Sequence, residues 1–163
     1  MYNNFMNQKS NYFTSLAKAI ITLFGENVHL ERGFPVQGGD INKSYGISLS
    51  NGNVLFMKSN EKANVDFFVK EANNLKAIAD TKTIATPKLL GLGTDEGEEV
   101  GYSFLLLDFV ELGNLDEKFW ENFAEKLSKM HKAETSSYIK KEDREKNLIF
   151  GFYEDNYIGK TKQ

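Results

Sequence analysis

Hydrophobic residues near the start of the chain recur at the spacing of one helix face. They are Phe13, Leu16, Ile20 and Leu23. Ser10 lies where a residue would cap the first turn, and Gly25 follows the last apolar position. The pattern therefore predicts one amphipathic helix over residues 10–24.

Strict alternation replaces the helical period farther along the chain. Apolar side chains alternate with small or polar ones over residues 45–49 and 54–58, and Asn51-Gly52 lies between these stretches. Both residues of a tight hairpin turn must tolerate a positive φ, which Asn and Gly do. The two stretches therefore predict an antiparallel hairpin, and a further strand before it would frame a turn at Gly38-Gly39.

The helical period returns over residues 63–79. Its apolar positions are Val65, Phe68, Ala72, Leu75 and Ala79. Two apolar runs follow, residues 87–93 and 101–110, and the charged stretch between them suits a hairpin loop. A last helix is predicted to begin after Asp116, as its N-cap, and to end at about Lys132.

The predicted order is one helix, three strands, one helix, two strands and one helix. This is the order of the nucleotide-binding lobe of protein kinases. We therefore predict an α+β fold, a kinase-like N-lobe whose five-stranded antiparallel sheet has a helix between strands three and four. The lobe is expected over residues 1–110, and residues 111–163 are expected to form the hinge connector and the beginning of a second lobe.

Composition narrows the classes of function. The 163 residues carry a net charge of −3, which provides no basic field for nucleic acid or an anionic membrane. There is no cysteine and the two histidines lie far apart, so neither disulfides nor a dedicated metal site are predicted. No segment approaches the roughly 18 apolar residues of a membrane span. We expect a cytoplasmic protein.

Lys58 lies on the strand face that also carries Val54 and Phe56, because alternate residues of a strand share a face. A lysine there could simply extend its ammonium group into water. Glu71, however, falls within the apolar stripe of the second helix, where an unpaired carboxylate would be strongly unfavourable. We therefore predict a Lys58–Glu71 ion pair, which in kinases holds the lysine against the α- and β-phosphates of ATP.

Two other segments are candidates for contact with a nucleotide. The turn between the first two strands contains Gly38, Gly39, Asp40, Ile41 and Asn42, and the end of the last strand contains Leu107, Asp108, Phe109 and Val110. Backbone N–H groups of the turn could meet phosphates, although two glycines can also form an ordinary turn. The backbone of Asp108 and Val110 could bind adenine in front of Leu107, or this segment could be only a buried strand end.

Several segments of the chain carry specific motifs. They are Gln37–Tyr45, Val54–Asn60, Phe67–Leu75, Leu106–Val110, Leu127–His131 and Phe150–Gln163. The most specific are Lys58-Ser59-Asn60 and the Gly-Phe…Asp-Asn-Tyr-Ile-Gly signature of residues 151–159. These segments resemble the fructosamine or ketosamine kinases, which are related to the aminoglycoside and choline kinases. The resemblance spans most of residues 30–163.

The resemblance implies a kinase that uses ATP and Mg²⁺ to phosphorylate a sugar hydroxyl of a ketosamine, a glycated amine or lysine, in the repair of glycated molecules. The family's catalytic loop contains His-Gly-Asp, and no His-x-Asp occurs in this chain. The catalytic aspartate and the Mg²⁺ ligands are therefore expected in a C-terminal lobe that this chain lacks. The 163-residue chain alone is expected to be inactive.

Two other functions remain open. One is a phosphotransferase of the same fold that acts on an aminoglycoside-like or choline-like acceptor, and the other is a non-catalytic nucleotide-binding module. Without a C-terminal lobe, the apolar side of the helix from Trp120 to Met130 is expected to be covered by self-association, as in a homodimer, or by the chain's own tail.

Overall fold

The computed structural model describes residues 11–37, 41–97, 99–134, 145, 156–158 and 161–162. In chain order the elements are β1 (Tyr12–Phe13), α1 (Leu16–Phe24), β2 (Leu30–Pro35), β3 (Lys43–Leu49), β4 (Val54–Glu61), a 3-10 turn (Lys62–Asn64), α2 (Val65–Asp80), β5 (Leu89–Asp95), β6 (Tyr102–Asp108), α3 (Phe119–His131), β7 (Tyr157–Ile158) and β8 (Thr161–Lys162). The chain divides into two compact units, residues 1–72 with 87–111 and residues 73–86 with 112–163. Within these described residues, no helix is long and apolar enough to cross a membrane.

The first unit contains one sheet in the order β1-β5-β6-β4-β3-β2. Strands β2 to β6 pair antiparallel with their neighbours, and the hairpin around Asn51-Gly52 is confirmed. Gly52 has a positive φ, 83°, but Asn51 does not, so the expected tight turn with positive φ at both residues is wrong. β1 adds a sixth strand that runs parallel to β5. The prediction of five strands, all antiparallel, is therefore wrong at this edge of the sheet.

Glycine allows β1 to approach β5 closely. Phe13 pairs with Gly93, and a Cβ atom on Gly93 would lie only 1.8 Å from the carbonyl oxygen of Phe13. Any other residue at position 93 would push the two backbones apart. Because Phe13 belongs to this strand, the helix predicted from Ser10 begins instead at Leu16, and Ser10 lies outside the described residues.

The first turn of α1 is capped by a side chain from β5. Asp95 accepts hydrogen bonds from the backbone N–H groups of Leu16, at 2.7 Å, and Gly97, at 2.9 Å. Burial raises the pKa of Asp95, but these two bonds and one from the Ser15 hydroxyl outweigh burial, so the pKa lies below its ordinary value. A tertiary contact therefore caps the helix, whose end at Gly25 agrees with the sequence pattern.

The two faces of the sheet in the first unit carry different residues. One face packs against α1 in a core formed by Leu16, Ala19, Ile20, Ile47, Leu49, Leu55, Met57, Phe104 and Leu106. The opposite face carries the alternate residues of the strands, including Lys58. Phe68 and Ala72, in the first half of α2, are fully buried, as the helical period predicted.

In the second unit, α3 begins at Phe119. Asp116 accepts a 3.0 Å hydrogen bond from the backbone N–H of Lys118 through Oδ1, which makes a local turn before the helix. The predicted N-cap role of Asp116 is therefore wrong, since the N-cap position is Lys118. The side of α3 that was expected to be apolar carries Trp120, which is 67% exposed, and its ring lies edge-on to Phe123.

Candidate functional site

Strand register gathers three rows of side chains on the sheet face opposite α1. Residues that are directly paired across strands share a face. The first row is Phe34, Gly46, Phe56 and Leu107; the second is Ser44, Lys58 and Leu105; and the third includes Asn60 and Ser103. The sheet thus places the predicted lysine between an aromatic row and a polar row.

Lys58 and Glu71 meet on this face. Lys58 Nζ lies 2.6 Å from Glu71 Oε1, and the side chains are 27% and 30% exposed. The predicted ion pair is confirmed, although neither partner is as deeply buried as the helical stripe suggested. An ion pair with this exposure contributes about 0–1 kcal/mol to stability. Its main effect is to fix the position of an ammonium group that solvent, and therefore a ligand, can reach.

The floor beside Lys58 is apolar. Leu105, paired with Lys58, is fully buried, and Leu107, paired with Phe56, is 4% exposed. An apolar floor with one fixed cation at its edge suits a ligand that has a flat apolar part and an anionic part. A nucleoside phosphate has that form.

The segment predicted to bind adenine begins at the end of β6. The backbone N–H of Asp108 donates a 3.1 Å hydrogen bond to Lys88 O, and Asp108 Oδ1 accepts a 2.6 Å bond from the backbone N–H of Lys88. The N–H of Asp108 is therefore already used, so a base could meet the backbone of this residue only at its carbonyl. Val110 is 58% exposed, which leaves this segment open to a ligand.

Phe34 is an aromatic residue of this face that the sequence did not indicate. Its ring lies over Gly46, where a Cβ atom would be 2.1 Å from Phe34 Cζ. The ring centroids of Phe34 and Phe109 are 6.3 Å apart at 59°, within the range of a tilted aromatic contact. A single phenylalanine in an edge strand carries no pattern, so only the register could place it beside the predicted adenine segment.

The turn between β2 and β3 is only partly described. Gly38, Gly39 and Asp40 lie outside the described residues, while Ile41 is 38% exposed. Asn42 accepts a 2.6 Å hydrogen bond through Oδ1 from Asn60 Nδ2. This contact places the last residue of the predicted phosphate turn next to the end of β4.

The asparagine contact continues toward α2. Asn60 Oδ1 accepts hydrogen bonds from the backbone N–H of Glu61, at 2.7 Å, and from Asn64 Nδ2, at 3.0 Å. Neither Asn60 nor Asn64 was among the predicted site residues. Asn60 belongs to the Lys58-Ser59-Asn60 motif, but the sequence alone does not show which side chains Asn60 contacts.

Carboxylate and imidazole side chains are the groups of this chain that could hold a metal ion. The described part of the chain contains no group of three or more histidine, cysteine, aspartate and glutamate side chains placed to hold a metal ion. Both histidines, His29 and His131, are exposed.

Comparison with known proteins gives one consistent result. The family model described as fructosamine kinase matches residues 12–163. A probable ketoamine kinase of Synechocystis is 28% identical over 149 residues, which are 91% of this chain and 45% of that protein. A chloroplastic protein-ribulosamine 3-kinase of Oryza sativa subsp. indica is 33% identical over 128 residues, 78% of this chain and 33% of that protein.

A solved structure shares the fold. The crystal structure of a "putative fructosamine-3-kinase" from Haemophilus somnus 129PT superposes with a TM-score of 0.72 at 22% identity, over 96% of this chain and 48% of that one. The chain thus spans less than half the length of each of these three proteins.

Proposed function

This chain belongs to the fructosamine kinase family, and from that premise we propose that it is the nucleotide-binding part of an ATP-dependent kinase that phosphorylates a sugar hydroxyl of ketosamines. The observation that carries the proposal is the 2.6 Å ion pair between Lys58 and Glu71 beside an apolar floor. The ammonium group of this pair keeps part of its surface exposed, so a phosphate could reach it.

The residues of the sheet face fit ATP in two parts. Lys58 would neutralise charge on the α- and β-phosphates, and Glu71 would keep the ammonium group in place. The purine would lie over Leu107, with the carbonyl of Asp108 and the backbone of Val110 at its edge and the ring of Phe109 nearby. ATP supplies the phosphoryl group that is transferred.

The phosphate end of ATP would lie at the turn before β3. Gly38, Gly39 and Asp40 would bring backbone N–H groups to the phosphates, and Ile41 and Asn42 would complete the turn. This part of the proposal rests on the sequence motif and on the described position of Asn42, one row beyond Lys58 on the same face.

The acceptor class rests on relatives. Proteins described as a ketoamine kinase and a protein-ribulosamine 3-kinase are similar to this chain over most of its length. We propose the same class of acceptor, a sugar joined to an amine or to a lysine side chain, and a role in removing such adducts. The kinase family also implies Mg²⁺ with the ATP, and its ligands would come from outside the described residues.

The 163-residue chain alone is proposed not to transfer phosphate. Transfer needs a carboxylate to orient the acceptor hydroxyl and ligands to hold Mg²⁺ on the phosphates. The sequence contains no His-x-Asp segment, and its described part contains no cluster of metal ligands. Binding and catalysis are therefore expected to separate in this chain.

Titration of the isotope-labelled chain with ATP tests the binding part. We expect shifts at Lys58, Phe109 and Val110 and none at residues of α3, such as Lys126. Shifts confined to residues 116–163 would reject the proposed site. An assay with ATP, Mg²⁺ and fructosyl-lysine tests the rest, because acceptor-dependent ADP release that Lys58→Ala abolishes would show that the chain is active alone.

A further inference from the structure

We propose that Asn60 is a positioning residue of the nucleotide site, which turns the carboxamide of Asn42 so that its NH₂ group, and not its carbonyl oxygen, faces the phosphates. This inference rests on the proposed nucleotide function and adds a residue to it. Asn60 would act only through Asn42.

The backbone determines which way Asn60 faces. Its side-chain Oδ1 accepts the N–H of Glu61 at 2.7 Å, and a backbone N–H can only donate. The oxygen and nitrogen of an amide are otherwise hard to tell apart, but this fixed donor requires oxygen on the Glu61 side. Asn64 adds a second donor to the same oxygen at 3.0 Å.

The orientation of Asn42 follows from that of Asn60. With its oxygen held by Glu61, Asn60 presents its NH₂ group to Asn42 at 2.6 Å, so Asn42 must present its oxygen in return. The NH₂ group of Asn42 is then directed away from Asn60. A backbone donor at the end of β4 thus sets an amide orientation in the phosphate turn.

The place of Asn42 makes that orientation relevant to ligand binding. Ser44 pairs with Lys58 across the strands, and Asn42 comes two residues before Ser44. Because residues two apart along a strand lie on the same face, Asn42 and Lys58 occupy neighbouring rows of one sheet face. A phosphate chain that reaches Lys58 would pass Asn42. An NH₂ group donates to phosphate oxygens, whereas a carbonyl oxygen would repel them.

The substitution Asn60→Asp tests directly whether Asn60 sets the orientation of the Asn42 carboxamide. An aspartate can still accept from Glu61 and Asn64, but it cannot donate to Asn42, which would reverse and turn its carbonyl toward the phosphates. We expect the Kd for ATP to rise about tenfold, in line with the loss of a hydrogen bond to a charged group. The Kd for adenosine, which has no phosphate, is expected to stay within about twofold of wild type.

The new charge at position 60 needs its own control. In an Asn42→Ala background there is no amide to reverse, so adding Asn60→Asp should change the Kd for ATP by less than about twofold if Asn60 acts through Asn42. An equal loss in both backgrounds would show a plain charge effect and would overturn the inference. Asn64→Ala is the matched structural control and should bind ATP like wild type, because Glu61 still orients Asn60.

The outcomes separate this inference from the proposed function. Wild-type chain that binds neither ATP nor adenosine would overturn both. Wild-type chain that binds ATP, together with an Asn60→Asp variant of unchanged affinity, would overturn the inference alone. If Asn60→Asp lowers the thermal midpoint too far for titration, the same cycle is run with Asn60→Ala, which removes the donor without adding charge and should weaken ATP only when Asn42 is present.

Discussion

Lys58 Nζ and Glu71 Oε1 lie 2.6 Å apart, yet each side chain retains more than a quarter of its surface exposed, at 27% and 30%. The pair therefore joins β4 to α2 without withdrawing the lysine from solvent. Water screens such a pair and limits its effect on folding. We expect its effect on an anionic ligand to be larger, because an oriented ammonium group would need no rearrangement when the ligand arrives.

We predict that Glu71→Gln weakens ATP binding about tenfold, which corresponds to about 1.4 kcal/mol, because the lysine loses its fixed position. The free energy of unfolding should fall by no more than about 1 kcal/mol. Isothermal titration and chemical denaturation measure the two effects. The matched control is Asp80→Asn, which breaks a second 2.6 Å lysine pair on α2, with Lys76, and should leave ATP affinity unchanged.

We predict that Asp95→Asn destabilises the first unit by about 1 kcal/mol at pH 7, since an amide oxygen can cap Leu16 or Gly97 but not both with equal strength. The pKa of Asp95 is lower when folded than its ordinary value of 3.8. Its charge therefore stabilises the fold above pH 3.8 and loses that effect as the pH falls toward the folded pKa.

Thermal denaturation of both proteins from pH 7 to pH 3 measures this dependence. The difference between wild type and Asp95→Asn should be constant near neutral pH and should shrink below about pH 4. A difference that stays the same down to pH 3 would mean that the carboxylate charge has no part in capping α1.

We predict that Gly46→Ala destabilises the chain by about 1–2 kcal/mol, because the new Cβ would meet the tip of the Phe34 ring. The ring must swing away, which should also change ATP affinity if Phe34 borders the purine. Gly33→Ala in the adjacent strand is the matched control, since a Cβ there meets no atom within 4 Å. The double variant with Phe34→Ala should recover part of the stability lost to Gly46→Ala.

We predict that the 163-residue chain self-associates through the exposed aromatic side of α3. Phe119, Trp120 and Phe123 contact one another there, and Trp120 keeps 67% of its surface exposed. Sedimentation of the wild-type chain should show a dimer that Trp120→Ser weakens. A wild-type chain that sediments as a monomer at high concentration would contradict this prediction.

Local patterns predicted most of the first unit. The alternation of apolar and polar residues around Asn51-Gly52 predicted the hairpin. The position of the Glu71 carboxylate within the apolar stripe of α2 predicted its contact with Lys58. These features depend on residues close in sequence or on one strong energetic demand, that a carboxylate in an apolar stripe must have a partner. Requirements of this kind can be recognised from the sequence.

Features that depend on residues far apart in the sequence could not be recognised in this way. β1 has two residues, too few to show a strand period. It can pair with β5 because Gly93 in β5 has no Cβ atom to keep the two backbones apart. The cap of α1 comes from Asp95, 79 residues from Leu16, so the residues beside the helix could not indicate it. The Asn42–Asn60 contact likewise joins two strands whose residues look unremarkable when taken one at a time.

The contact of Leu16 with Asp95 spans 79 residues, and this has a consequence for synthesis on the ribosome. α1 is made before β3, β4 and β6, the strands whose buried residues share its core. At roughly 5–20 residues per second, about 4–16 s pass between the synthesis of Leu16 and that of its capping carboxylate. During this interval the first turn of α1 lacks its capping carboxylate, and two core partners of Leu16 and Ile20, Phe104 and Leu106, are still to be made. The nascent chain is therefore expected to keep part of the apolar side of α1 exposed until β6 emerges.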